Sequence, residues 1–180
     1  MSFAQDLASR LESHPDFQNH YCALQQRAAL SSLGGTIEES ISTQTLESTF
    51  KLLYCAGVFS QVESDKFQSI AQSIALSILL VDDNSDARDR SLRILTDVGN
   101  FPAITYAKNH YPTQRPLWDL LREAIARELN VLHLPGQEIS LTDFQKDTWD
   151  SLLLKGSLAI SAPTSAGKSF LVREFLCRQT

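Results

Sequence analysis

No run of lysines or arginines occurs in the 180 residues, and the formal net charge is −5. Surfaces that lie along a phosphate backbone or an anionic membrane concentrate positive charge, so composition points to neither. Only three cysteines occur, Cys22, Cys55 and Cys177, far apart and odd in number. No disulfide framework is expected, and a reducing cytoplasm is the expected compartment. No CxxC pair exists and His14, His20, His110 and His133 are scattered, which argues against a zinc site. The opening "MSFAQDLASRLESHPDF" lacks the basic start and apolar stretch of a signal peptide. The longest apolar run, "SIALSILLV", is too short and too serine-broken to span a bilayer, so no membrane partner is expected. Strand signals are nearly absent before residue 132.

What is present reads as a folded, mainly α protein. Hydrophobic residues make up 43% and charged residues 21%, the balance of a chain with a real core. "HPDF" places Pro15 and Asp16 at a helix start. Gly34 and Gly35 break the chain, and Thr36 with Glu39 forms a capping box. "STQTLESTFKLLYCAG" predicts a helix with Leu46, Phe50, Leu53 and Tyr54 on its inner face and Gly57 near its end. In "ESDKFQSIAQSIALSILLVDD", Phe67, Ile70, Ala71, Ile74, Ile78 and Leu79 recur at helical steps, marking a central helix. "VGN" stops the next helix at Gly99 and Asn100, and Pro102, Pro112 and Pro116 mark further boundaries. "PLWDLLREAIARELNVLHL" predicts a last amphipathic helix, with Leu117, Leu121, Ile125, Leu129 and Leu132 inward. The expected architecture of residues 1–134 is a helical bundle or a stack of helix pairs, followed by a connector, "LPGQEISLTD".

Three features invite functional readings that the residues weaken. "DDNSDARD" spaces Asp82, Asn84 and Asp86 like a calcium loop, yet Ala87 and Arg93 replace the required glycine and glutamate. A capped helix start explains it better. Trp118 and Trp149 could stack on bases, but their apolar neighbours predict packing inside. The cysteines have apolar or helical neighbours, which predicts core positions.

Beyond the connector the pattern changes. "TDFQKDTWDSLLLKG" predicts a short helix with Phe144, Thr148, Leu152 and Leu153 inward. "SLAIS", 157–161, predicts a buried strand, and "SFLVREFLCRQT" a helix that packs through Phe170, Leu171, Phe175 and Leu176. Between them lies Ala162, Pro163, Thr164, Ser165, Ala166, Gly167, Lys168, Ser169. This follows the phosphate-binding pattern G-x-x-x-x-G-K-[ST], with alanine in the first position. Inward amides would surround the β-phosphate, and Gly167 lets the backbone pass close to it. The following helix aims its positive end at the same charge. Lys168 is the expected catalytic residue, a point charge on the β- and γ-phosphates. Ser169 would offer its hydroxyl to Mg²⁺. Gln145 lies 23 positions before Lys168. Its amide presents a donor beside an acceptor, matching the N6 and N7 edge of adenine, so ATP is the expected nucleotide.

The stretch "FQKDTWDSLLLKGSLAISAPTSAGKSFLVREF" resembles the start of the first motor domain of superfamily 2 helicases, the DEAD/DExH-box ATPases. "APTSAGKS" looks most like the Ski-type DExH branch, whose loops commonly open with alanine. The resemblance places Gln145 in the Q motif and Ala162 to Ser169 in motif I. It implies the first strand, loop and helix of a RecA-like domain within residues 135–180, and ATP-dependent translocation on nucleic acid. A helical extension before such a motor resembles phage-defence helicases of bacterial Hachiman-like systems, a resemblance that implies contact with a partner protein, a nuclease, or gating of the DNA path. No DExH box, arginine finger or second RecA-like domain follows the loop. The sequence therefore reads as the front of a longer motor, and hydrolysis by these residues alone is not expected.

Two alternatives stay open: a helical protein-interaction module with an inactive phosphate loop, or an unrelated P-loop ATPase. Residues 1–134 carry 11 basic and 16 acidic residues, whereas 135–180 carry five of each. The acidic front favours a protein-facing or regulatory role over a grip on phosphates, although a merely solvated acidic surface accounts for it equally well.

Overall fold

A computed structural model describes residues 3–33, 46–111, 115–134, 137–154, 158–160 and 167–177. Helices dominate, as expected. Seven come first: α1 (Phe3–Ser13), α2 (Pro15–Ser32), α3 (Leu46–Ser60), α4 (Asp65–Val81), α5 (Ser85–Asp97), α6 (Phe101–His110) and α7 (Leu117–Leu129). A hairpin follows, β1 (Val131–Leu134) and β2 (Gln137–Ser140), then α8 (Asp143–Leu154) and α9 (Lys168–Leu176).

Local chemistry sets the boundaries. Pro15 opens α2 behind His14, whose Nδ1 accepts from the Asp16 amide at 3.3 Å. Asn84 caps α5 by accepting from the Ala87 amide at 3.0 Å, which accounts for "DDNSDARD" as a helix start. Gly99, at φ +65°, ends α5. The Gly99 amide donates to the Thr96 carbonyl at 3.2 Å and the Asn100 amide to the Leu95 carbonyl at 2.9 Å, the paired bonds of a Schellman stop. Asn100 then caps α6 through the Ala103 amide at 3.2 Å. The capping box expected at Thr36 and Glu39, and the boundary at Pro112, lie outside the described residues.

The main core surrounds α4, which packs on α2, α3 and α5. Its Phe67, Ala71, Ile74, Ile78 and Leu79 are buried and Ile70 packs at the edge, as the periodicity predicts. Phe17, Phe59 and Phe67 meet in sequence, with centroids 5.4 Å apart at each step, tying α2, α3 and α4 together. A second apolar cluster joins Leu141, Trp149 and Leu171, flanked by Leu132, Ile139, Phe170 and Phe175.

Several expectations are corrected. α3 continues past Gly57 to Ser60. It turns Leu52, Leu53, Ala56 and Phe59 inward while Leu46 and Tyr54 are exposed, because α4 and α5 take the adjacent face. The connector is a hairpin: Leu132 pairs with Ile139 and faces the second cluster, while His133 pairs with Glu138 and is exposed. This two-residue alternation is a strand signature, and the helix stops at Leu129, before Leu132. In α8 the inward anchors are Thr148 and Trp149, whereas Phe144 and Leu153 are exposed. Leu176 is also exposed. Cys22 and Cys177 are exposed, and only Cys55 is half-buried.

The largest reversal is α7. Leu117, Leu121, Ile125 and Leu129 are 81%, 48%, 59% and 71% exposed, and Trp118 is 71% exposed. The buried residue is Glu123. Its Oε1 accepts from Lys108 Nζ at 2.6 Å and its Oε2 from the buried Arg115 Nη1. The polar side of α7 that carries Glu123 thus faces inward, where two cationic partners offset the cost of burying its carboxylate, and the apolar stripe faces outward.

Candidate functional site

α8 begins with Thr142 and Gln145 capping each other. The Thr142 amide donates to Gln145 Oε1 at 3.1 Å, and the Gln145 amide donates to Thr142 Oγ1 at 3.2 Å. This is a T-x-x-Q capping box. The cap bond takes one of the four hydrogen-bonding positions of the Gln145 amide: two lone pairs on oxygen and two protons on nitrogen. The spacing from Thr142 to Gln145 was the signal for this cap, and the sequence reading missed it.

α9 begins at Lys168. Its N-cap is Gly167, at φ +76° and ψ 22°, and the Gly167 carbonyl accepts from the Leu171 amide at 3.1 Å. Two features favour glycine here. The left-handed conformation disfavours a side chain. A Cβ at this position would also collide with Gln145 Nε2. Residues that are 22 positions apart in sequence thus touch. Lys168 is half-buried and Ser169 is exposed, on the first turn of α9. Gly167 makes no side-chain cap at the N-terminus of α9, and the N-terminus of a helix attracts anions.

Packing holds the two helices in this relation. Trp149 of α8 meets Phe175 of α9 edge to face, with centroids 5.8 Å apart, and Leu171 is fully buried beside them. Of the residues read from sequence, Gln145, Gly167, Lys168 and Ser169 converge on this junction. Ala162, Pro163, Thr164, Ser165 and Ala166 lie outside the described residues. The strand expected at 157–161 is not formed over 158–160, which carry no sheet partner among the described residues.

A cleft of about 480 Å³ opens on another side of α8, lined by Asp97, Arg122, Asn130, Asp143, Lys146 and Asp150 among others. Burial raises the Asp97 carboxyl above its ordinary value, against the opposing pull of Arg122 and Arg93. Among the described residues no group of three or more His, Cys, Asp or Glu could hold a metal ion. No described helix is long and apolar enough to cross a membrane. No family model, curated protein or solved structure matches this chain.

Proposed function

We propose that the chain forms the adenine-nucleotide grip of an ATP-dependent DExH-type helicase or translocase, of which these residues are the front. The observation that carries the reading is the contact between Gln145 and Gly167. A base-reading amide and a phosphate-loop glycine serve one nucleotide only if both lie within its length, and their proximity supports that. In this reading Gln145 meets adenine, and the amides at the start of α9 meet the phosphates. Lys168 supplies positive charge to the β- and γ-phosphates. Ser169, exposed and one residue beyond Lys168, would hold Mg²⁺ through its hydroxyl, and the ion would neutralise charge on the phosphates. Nucleic acid is met through the rest of the motor, in the cytoplasm, and the helical part is accessory.

The test is titration of the chain with MgATP and MgGTP. Binding of ATP in preference to GTP supports the reading, and both Lys168→Ala and Gln145→Ala are expected to weaken it by about tenfold or more. Equal affinities for the parent and Lys168→Ala refute it. A second reading, a helical module that docks another protein, is favoured by the outward apolar stripe of α7.

A further inference from the structure

We infer that the turn between α5 and α6, Gly99–Asn100, positions Gln145, so that the helical bundle governs adenine recognition; this rests on the nucleotide reading above. The turn belongs to the main core through Leu95, Phe101 and Ile104, all buried there. Its outer edge lies against the start of α8. Asn100 and Thr142 form an isolated antiparallel bridge. A Cβ at Gly99 would fall on the Asp143 carboxylate.

Asp143 is exposed, and one hydrogen bond ties its carboxylate to the neighbouring structure. Its Oδ1 accepts from Asn130 Nδ2 at 2.6 Å. Asn130 is buried, and its carbonyl accepts from the Leu141 amide at 2.9 Å. The backbone at Leu141–Asp143 is thus held by α7's end on one side and by the α5–α6 turn on the other. Thr142, in the middle of that held segment, is the capping partner of Gln145. Gln145 in turn touches Gly167, one residue before Lys168. Every step from the turn to the phosphate loop is a direct contact between short or capped groups, so displacement at one end reaches the other.

Gly99 is therefore a positioning residue rather than a helix stop alone. A stop needs only the left-handed backbone, which asparagine also tolerates. Beside Asp143, a side chain at this position would also push the carboxylate and the start of α8 aside.

The experiment compares ATP with inorganic tripolyphosphate, which carries the phosphates without the base. Gly99→Ala is expected to weaken ATP binding by about tenfold, one good hydrogen-bonding contact, while tripolyphosphate affinity changes by less than about twofold. In an Asp143→Ala background the same substitution at Gly99 is expected to cost ATP affinity less than about twofold, because the collision is gone. Equal loss of both ligands, or unchanged ATP affinity, overturns the inference. The amide resonances of Gln145 and Gly167 give a readout free of nucleotide. They should shift in Gly99→Ala while those around Phe59 stay in place, and fixed resonances at Gln145 and Gly167 overturn the inference. If the parent binds neither ligand, the nucleotide reading fails, and the resonances alone decide the positioning. If Gly99→Ala does not fold, Asp143→Ala at the exposed helix start carries the same two readouts, with losses in the same direction; unchanged ATP affinity and resonances in that variant also overturn the inference.

Discussion

Replacing Glu123 tests which way α7 faces. Its side chain is 3% exposed and that of Arg115 is 1% exposed. Lys108, the other partner, is 33% exposed and can turn to water. Glu123→Ala therefore strands one guanidinium in the interior, and Arg115 Nε already lacks a partner among the described residues. Breaking a buried pair from one side costs ~3–5 kcal/mol, because the remaining charge is neither paired nor solvated. Against a total stability of about 5–15 kcal/mol this is a large loss. It corresponds to a fall in melting temperature of roughly 10 °C for a domain of this size. Replacing both members, Arg115→Met with Glu123→Met, should recover most of it, since neither charge is then buried. Thermal and urea unfolding followed by circular dichroism measure all three proteins. A cost below ~1 kcal/mol for Glu123→Ala, with no recovery in the double variant, would mean that Glu123 faces water. The orientation of α7 would then be the opposite one.

The same helix supplies a complementary prediction. Ile125→Asp should change stability by less than ~0.5 kcal/mol, because the side chain is already exposed; a loss of several kcal/mol on urea unfolding would put Ile125 in a core. Asp97 sets a pH dependence. Its folded carboxyl holds a proton more tightly than an ordinary aspartate, so its contribution to stability is complete below about pH 4 and is lost as pH rises through the raised pKa. Asp97→Asn should gain on the parent in melting temperature as pH is raised from about 4 to 7, and losing ground over that range would contradict the burial of the charge. Burial also pushes the Cys55 thiol up, whereas Cys22 and Cys177 are exposed. Iodoacetamide should alkylate Cys22 and Cys177 first and Cys55 only on unfolding, as mass spectrometry of timed digests would show; equal rates would argue against the half-buried site.

The legible parts of the fold were those where a residue acts on its own neighbours. Proline at Pro15 and Pro102, glycine at Gly99 and the periodicity of α4 each set local backbone or one helix face without reference to the rest of the chain. The candidate site was partly legible for the same reason. The phosphate-loop pattern is contiguous, and Gly167 is needed for a backbone angle that its own position demands. The hairpin escaped because its four-residue strands are too short for alternation to compete with the helical pattern running into them.

Sequence alone determined that the chain is mainly helical, where most helices begin or end, and that Gly167, Lys168 and Ser169 open a helix. Tertiary structure decided which face of α7 is covered, what touches Gln145, and that the α5–α6 turn rests on the start of α8. The reason is one of range. Backbone preference and capping act over a few residues, whereas burial of a charge such as Glu123 depends on partners from other parts of the chain, here Lys108 and Arg115.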